Sequence, residues 1–506
     1  MKKLLIIFWG IVAHSTSLFS QGTFSATYNF GNTKGIAVTW DNKFIMFAQN
    51  GIGRISKVDP NTGNLDWTSE ISFQGRHFFI KRIIETTDSN FVALFSQIGN
   101  PTFFGAIKVS SNGTLLWAKK YFATLSNIGL DLCATIDGGF IMVGSGCAGD
   151  NYAIRCDTGG SIIWQKHYKD LISNAGSSYR IKNAGNNNFY ISGSNPGANN
   201  NKANVLFKIN SAGDLLWFQK INMAGINFSF ALTATTDGGA TIAGNTNVLD
   251  SNIAYTYLSH FDSVGNHVWL KAYQDNYNGN SVNDLIQLNN GEYIASGNLF
   301  YNDIRNVQML NFKTDVNGNL LWAKAGGKNQ DGSGYDDNFC IKAINDSTIL
   351  NGGTHSISKL NANGFGWCYT DSIHLITHLP VYTIETPTTI YSHNLNFISD
   401  TINYTYNLNP GRGPYSICTN ITNIPDLDYE KAISISPNPF ENEVNIRSDF
   451  NFETQISIFD ITSKIIFQQY HSGSLKINTE HFRKGLYFYE IRGKNGEFKS
   501  GKIVKN

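Results

Sequence analysis

Charge is scarce in this chain: only 15% of its 506 residues are Asp, Glu, Lys or Arg, and they nearly cancel, to a formal net charge of +1. Without basic runs there is no electrostatic footprint for nucleic acid. No long acidic or basic tail is present either. Proline is also scarce, at ten residues, whereas glycine reaches 48 and aromatics 13%. That balance belongs to a turn-rich β protein rather than to a disordered one. After the first twenty residues no apolar run approaches the ~20 needed to cross a bilayer. No cysteine follows the first apolar run, which argues against a lipid-modified N-terminus.

What is present begins with an export signal. Lys2-Lys3, an apolar run from Leu4 to Ala13 and a Ser/Thr-rich stretch make up residues 1–20, the three parts of a secretory leader, with cleavage expected between Ser20 and Gln21. Six cysteines in an exported chain make disulfides the default expectation. Cys147 and Cys156 flank a polar hairpin and are expected to meet across it. Cys368 and Cys418 bracket a loop of about fifty residues, a bridge worth roughly 4 kcal/mol. Cys133 and Cys340 are either free buried thiols or a third bridge.

The main body counts to seven twice. Gly63-Asn-Leu-Asp-Trp67 returns as Gly113-Thr-Leu-Leu-Trp117, Gly160-Ser-Ile-Ile-Trp164, Gly213-Asp-Leu-Leu-Trp217, Gly265-Asn-His-Val-Trp269 and Gly318-Asn-Leu-Leu-Trp322, with a shortened copy at Asn363-Gly-Phe-Gly-Trp367. In phase with it runs a polar turn before an apolar strand, beginning at Asp41, Asp88, Asp137, Asn186, Asp237, Asn290 and Asp346. In the third repeat this predicts strands over Leu130–Ile136, Phe140–Ser145, Tyr152–Cys156 and Ile162–Tyr168. Four short strands per ~50-residue unit make a propeller blade, and seven units fall within the usual range. The glycine supplies a positive φ for the turn. The tryptophan is placed to dock on the neighbouring blade, a burial worth up to about 3 kcal/mol. Thr23 to Phe30 alternates like an outer strand and is read as the strand that closes the ring.

The segment Asp59-Pro-Asn-Thr62-Gly63-Asn-Leu-Asp-Trp67 resembles the tryptophan-docking motif of the quinoprotein-like propeller superfamily, lacking only the small residue that normally stands at Lys57. The resemblance covers residues 31 to 367 and implies a fold rather than an activity. The fold expected is all-β: a seven-bladed propeller over residues 21–367, a disulfide-clipped β appendage and linker over 368–430, and a small β-sandwich from 431 to 506. That last module resembles the type A C-terminal sorting domain of the type IX secretion system, in Ser436-Pro-Asn-Pro-Phe440, Ile458-Phe-Asp-Ile461, Lys484-Gly-Leu-Tyr487 and Gly501-Lys-Ile-Val-Lys505, with Ser463 where a glycine commonly stands. The resemblance implies export across an outer membrane by that machinery, then release or display at the cell surface. Asp-Ser/Thr triplets at Asp262, Asp346, Asp371 and Asp400 resemble O-glycosylation sites of bacteria that use this route.

Chemistry is harder to find. His374 and His378 have the spacing of a helical zinc pair, yet on a strand they stand ~13 Å apart, so they read as surface histidines. Asp331, Ser333, Asp336 and Asp337 form the densest group of oxygen ligands and are the metal candidate, without the terminal Glu of a calcium loop. A connection between blades is the competing reading. No catalytic set, cofactor motif or nucleophile elbow stands out, so no cofactor is called for. The first reading of function is a binding or adhesion module that uses the loops on one propeller face for a glycan or protein. An extracellular polysaccharide-acting enzyme with its site at the channel mouth is the alternative.

Overall fold

The computed structural model describes residues 24–27, 32–39, 43–50, 52–59, 62–72, 78–97, 103–122, 127–146, 151–170, 177–196, 202–223, 226–247, 254–275, 279–301, 306–327, 334–335, 338–353, 356–365, 369–373, 375–380, 382–386, 390–394, 398–402, 405–410, 416–418, 433–448, 453–460, 464–493 and 498–506. All of its regular structure is β-strand. The third repeat forms Asn127–Ala134, Phe140–Gly146, Asn151–Cys156 and Ile162–Asp170, joined antiparallel in sequence order. The first, second, fourth, fifth and sixth repeats do the same, and the seventh contributes three strands, giving seven blades. Their innermost strands are Asn32–Val38, Phe78–Glu85, Asn127–Ala134, Ser177–Gly185, Ile226–Ala234, Gly279–Gln287 and Asn338–Asn345 for blades 1 to 7. Each lies against the next, and the seventh lies against the first, so the ring is closed. The seventh blade takes its fourth strand from the chain start, where Phe24–Thr27 pairs antiparallel with Ser356–Asn361.

The indoles wedge the blades together. Trp67, Trp117, Trp164, Trp217, Trp269 and Trp322 each lie on the turn glycine of the following blade, at Gly113, Gly160, Gly213, Gly265, Gly318 and Gly364. Trp67, Trp117, Trp164 and Trp217 also donate their ring N–H to a carbonyl in that turn, at Ser111, Thr158, Ser211 and Ser263. Three blades add a tyrosine four residues after the tryptophan: the hydroxyls of Tyr121, Tyr168 and Tyr273 donate to the carbonyls of Gly160, Gly213 and Gly318. The turn is clamped from within. In blade 5, Asp262 Oδ1 accepts the N–H groups of Val264 and Asn266, and Asp157, Asn210, Asp315 and Asn361 repeat the device. These residues stand three before the glycine, whereas Asp59 of the longer first turn stands four before it.

A Cβ at Gly265, where φ is +93°, would meet the Trp217 ring at 2.8 Å. Gly265→Ala is therefore expected to lose about 2–4 kcal/mol, from left-handed strain plus displacement of the indole. A shift of the urea midpoint at unchanged slope is the measurement.

The expected β appendage is formed by the strands between residues 369 and 418. They run once around the ring against the order of the blades and give each blade a fifth, outer strand. Tyr369–Ser372 pairs with blade 6, Leu375–His378 with blade 5, Tyr382–Glu385 with blade 4, Ile390–Asn394 with blade 3, Ile398–Thr401 with blade 2 and Thr405–Pro410 with blade 1. Ser416–Cys418 then pairs with Phe24–Thr27, so the closing strand of blade 7 is held on both edges. The belt also supplies what a blade lacks. Ile71 stands where three sister blades carry the tyrosine, and across from it Tyr406 donates its hydroxyl to the carbonyl of Gly113.

The expected bridge between Cys147 and Cys156 is not formed. Cys156 is a free, buried thiol paired in register with Phe140, and Cys147 lies outside the described residues. Cys133 and Cys340 are free as well. Cys368 and the side chain of Cys418 lie outside the described residues.

The C-terminal residues build two sheets, Ile433–Ser436, Glu443–Ser448 and Leu475–Asn478 in one, Ile465–Ser472, Glu453–Phe459, Gly485–Gly493 and Phe498–Lys505 in the other. Phe440, Val444, Ile456, Ile458, Phe482 and Ile503 share one core. Alternation along each strand produces it.

Candidate functional site: the central channel

Every innermost strand carries a β-bulge at the same place. The register slips by one residue at Lys34, Lys81, Leu130, Tyr179, Phe230, Asn283 and Phe339. Past the bulge the strands alternate. Ile83, Leu132, Ile181, Leu232, Leu285 and Ile341 are buried in the blade cores. The residues on the other side of the alternation meet at the axis. They are charged in several blades.

Their contacts cross the ring. The Arg82 guanidinium of blade 2 lies 3.5 Å from Asp131 of blade 3 and 3.8 Å from Asp284 of blade 6. Arg180 of blade 4 donates to the carbonyls of Tyr179 and, across the channel, Asn283. Asp131 Oδ2 accepts the N–H of Ile181 at 3.0 Å, and Asp284 Oδ2 accepts that of Ile341 at 3.2 Å. Each carboxylate thus serves the strand of the following blade beside its bulge, where a donor would otherwise go unpaired. Two of the bulge residues, Tyr179 and Phe230, set their rings 5.7 Å apart.

Burial acts against every charge here, and the partners decide the outcome. Burial would raise the Asp284 carboxyl, but Arg82, Lys342, Lys182 and Arg180 together hold it at about 2. Burial also opposes the Arg82 charge, which Asp284 and Asp131 more than restore, so its pKa is raised. Arg180 is pushed down to about 10 by burial and by Arg82. Lys342 is pushed down to about 8, first by Lys182 and then by burial. Lys81 is lowered by burial and Arg180. Burial raises the thiols of Cys133 and Cys340 to about 12. The carboxylate Asp284 stays ionised and both thiols stay protonated at neutral pH. No histidine lies on the innermost strands.

One constellation elsewhere has the look of a catalytic triad. Asp237 Oδ2 lies 3.0 Å from His260 Nε2, and His260 Nδ1 lies 3.0 Å from the hydroxyl of Thr241. Its place in the repeat assigns it a structural role. Blades 2 and 3 pair the corresponding turn acid with a cation, Asp88 with Lys108 and Asp137 with Arg155, and blade 6 pairs Lys313 with Glu292, two residues past the equivalent Asn290. Thr241 is fully buried beneath this pair.

The metal candidates Asp331, Ser333, Asp336 and Asp337 lie outside the described residues, as does His374. His378 sits on the strand Leu375–His378, in register with Ala272. Among the described residues no group of three or more His, Cys, Asp or Glu is placed to hold a metal ion. No helix among them is long and apolar enough to cross a membrane. Sequence reasoning missed the channel residues, though a signal existed: Arg82, Asp131, Arg180 and Asp284 each stand six residues before the turn residue that marks their repeat, at Asp88, Asp137, Asn186 and Asn290.

Residues 434–506 match the model of the secretion system C-terminal sorting domain. No curated protein matches the chain. Among solved structures, YCF48 from Cyanidioschyzon merolae aligns at 10% identity over 67% of this chain and 98% of its own, with a TM-score of 0.42. The extracellular domain of the putative hybrid two component system BT4673 from B. thetaiotaomicron aligns at 10% identity over 96% of this chain and 59% of its own, with a TM-score of 0.40. A protein of unknown function from Bacteroides caccae aligns at 14% identity over 60% of this chain and 93% of its own, with a TM-score of 0.35. Identities this low carry no ligand across.

Proposed function

We propose that this chain, a β-propeller that ends in a type IX secretion sorting domain and is secreted or held at the cell surface, works as a binding protein whose ligand is a glycan seated at the mouth of the central channel. The sorting domain engages the secretion machinery, and the propeller does the work outside.

The observation that carries this reading is the chemistry of the channel. Catalysis of hydrolysis or elimination needs groups that exchange protons near neutral pH. Of the described channel groups Lys342, at about 8, comes near that range, but it has no acid-base partner there: Asp284 is held ionised at about 2, with Arg82 close by, and both thiols stay protonated. A fixed charge pattern beside an aromatic pair, Tyr179 and Phe230, suits recognition, because the rings offer a stacking surface and the charges offer orientation.

A glycan array probed with the purified chain, run beside an assay for released product, tests the reading. Binding without turnover, lost in Tyr179→Ala and Phe230→Ala, is the expected result. Turnover of a bound polysaccharide, or binding untouched by both substitutions, would overturn it.

A further inference from the structure

The described channel groups do not balance. Lys81, Arg82, Arg180, Lys182 and Lys342 converge there, against the carboxylates Asp131 and Asp284. Arg82 engages both carboxylates itself, and each carboxylate also accepts a backbone N–H. Among the described residues neither carboxylate lies within 4 Å of Lys81, Arg180, Lys182 or Lys342 in an ion pair. The Nε of Arg180 is buried and has no hydrogen-bond partner. Lys182 and Lys342 face each other from blades 4 and 7 with no ion pair within 4 Å among the described residues, and their mutual repulsion is the largest influence on Lys342.

A purely structural cluster would not be built this way. Buried polar groups in folded proteins are nearly always satisfied, and an uncompensated buried cation costs stability. A surplus of cations around one unpartnered guanidinium N–H is the arrangement expected of a site whose missing member is an anion.

Resting on the binding role proposed above, we infer that the channel takes an oxyanion, a carboxylate or sulfate group borne by the ligand, which accepts from Arg180 and is flanked by the ammonium groups of Lys182 and Lys342. The ligand class is then an acidic saccharide: the anion enters the channel while the sugar stays at the mouth beside Tyr179 and Phe230.

Lys342 reports the event. The charged and titratable groups around it are Lys182 and Arg82, which disfavour its proton, Asp284 and Asp131, which favour it, and the protonated thiol of Cys340. Adding an anion raises its pKa from about 8. Binding near pH 8 must therefore take up a proton, and affinity must fall as pH rises past that value.

The experiment is calorimetric titration of the purified chain with sodium sulfate, sodium phosphate and sodium galacturonate at constant ionic strength, at pH 7 and at pH 8.5. Two buffers of different ionisation enthalpy are used at the higher pH. One saturable site for at least one of the three anions is expected, with proton uptake at pH 8.5. The comparison of the three separates a carboxylate requirement from a tetrahedral oxyanion. Lys342→Met and Arg180→Gln should each weaken binding by tenfold or more. Lys342→Met should also raise the Tm of the unliganded protein, since it removes an opposed charge, so loss of binding cannot be laid to misfolding. Absence of saturable binding for all three anions, or binding unchanged in Lys342→Met, overturns the inference. Recognition of neutral glycans alone would leave the binding role standing and this site refuted, whereas anion binding with no glycan bound would support the site and refute the glycan role.

Discussion

Ending the chain at residue 367, so that the belt is lost, is expected to leave a ring that unfolds or aggregates where a chain ending at residue 418 stays folded. The reason lies in what the belt covers. Leu375 is buried at 3% exposure, and Ile373, Tyr382, Ile384, Ile402 and Tyr406 pack partly buried on the blade cores. At about 1–2 kcal/mol for each such side chain, removal costs on the order of 5–10 kcal/mol, comparable to the whole stability of a typical domain. The outer strands of blades 1 to 6 would become bare edges, ready templates for pairing between molecules. Blade 7 would suffer most, because Phe24–Thr27 would keep one partner strand instead of two. Thermal unfolding and size-exclusion chromatography of residues 24–418 and 24–367 decide the matter. The longer chain also lacks the sorting module, so it controls for that loss. Melting temperatures within about 3 °C of each other would refute the belt's role.

Replacing Asp284 by Ala is expected to cost about 3–5 kcal/mol, the usual penalty for breaking a buried ion pair from one side. Asp284 is 2% exposed on its side chain. It opposes Arg82, Lys342, Lys182 and Arg180 and accepts the Ile341 N–H. Asp284→Asn keeps the shape while removing the charge, so it should recover only the part due to packing. The pH dependence follows from the same pair of states. The folded-state pKa, about 2, lies below the ordinary 3.8. The contribution is therefore complete above pH ~4–5 and is lost as pH falls towards 2, and it amounts to about 2 kcal/mol. Urea midpoints should show wild type and Asp284→Asn converging over that window. Lys342 works in the opposite sense and another range. Its folded pKa, about 8, lies below the ordinary 10.5, so the unfolded chain holds more protons between those values and stability rises with pH across them. A Lys342→Met variant should lose that rise.

The repeats were legible because each is local. The glycine and the tryptophan stand four residues apart, and the turn before them reads the same way in every copy, so strand count and blade count could be taken from spacing. The channel cluster was partly legible. Arg82, Asp131, Arg180 and Asp284 fall in one column when the repeats are set against their turns, and a charge recurring in an otherwise apolar strand marks a special position. The column alone does not say that Arg82 reaches Asp284 two hundred residues away in the chain, since neither bulges nor ring closure leave a local mark. The Asp237–His260 pair shows the reverse case, where a suggestive set of side chains loses its catalytic look once the sister blades fill the same place with Lys108 and Arg155.

What the sequence determined by itself is whatever depends on neighbours in the chain: β-strands from alternation, turns from glycine and Asx residues, seven units from their repetition, and an export address from the closing motifs. The alternation of Thr23 to Phe30 also pointed to the strand that closes the ring, whereas the tertiary structure alone decided the belt and the axial charges. Belt strands are four to six residues long in blades 1 to 6, so they carry little alternation of their own, and their partners lie far off, as in the hydrogen bond from Tyr406 to Gly113 across 293 residues. The charges at the axis likewise acquire their pKa values, and their surplus, only when seven strands bring them within a few ångströms and exclude the water that would otherwise screen them.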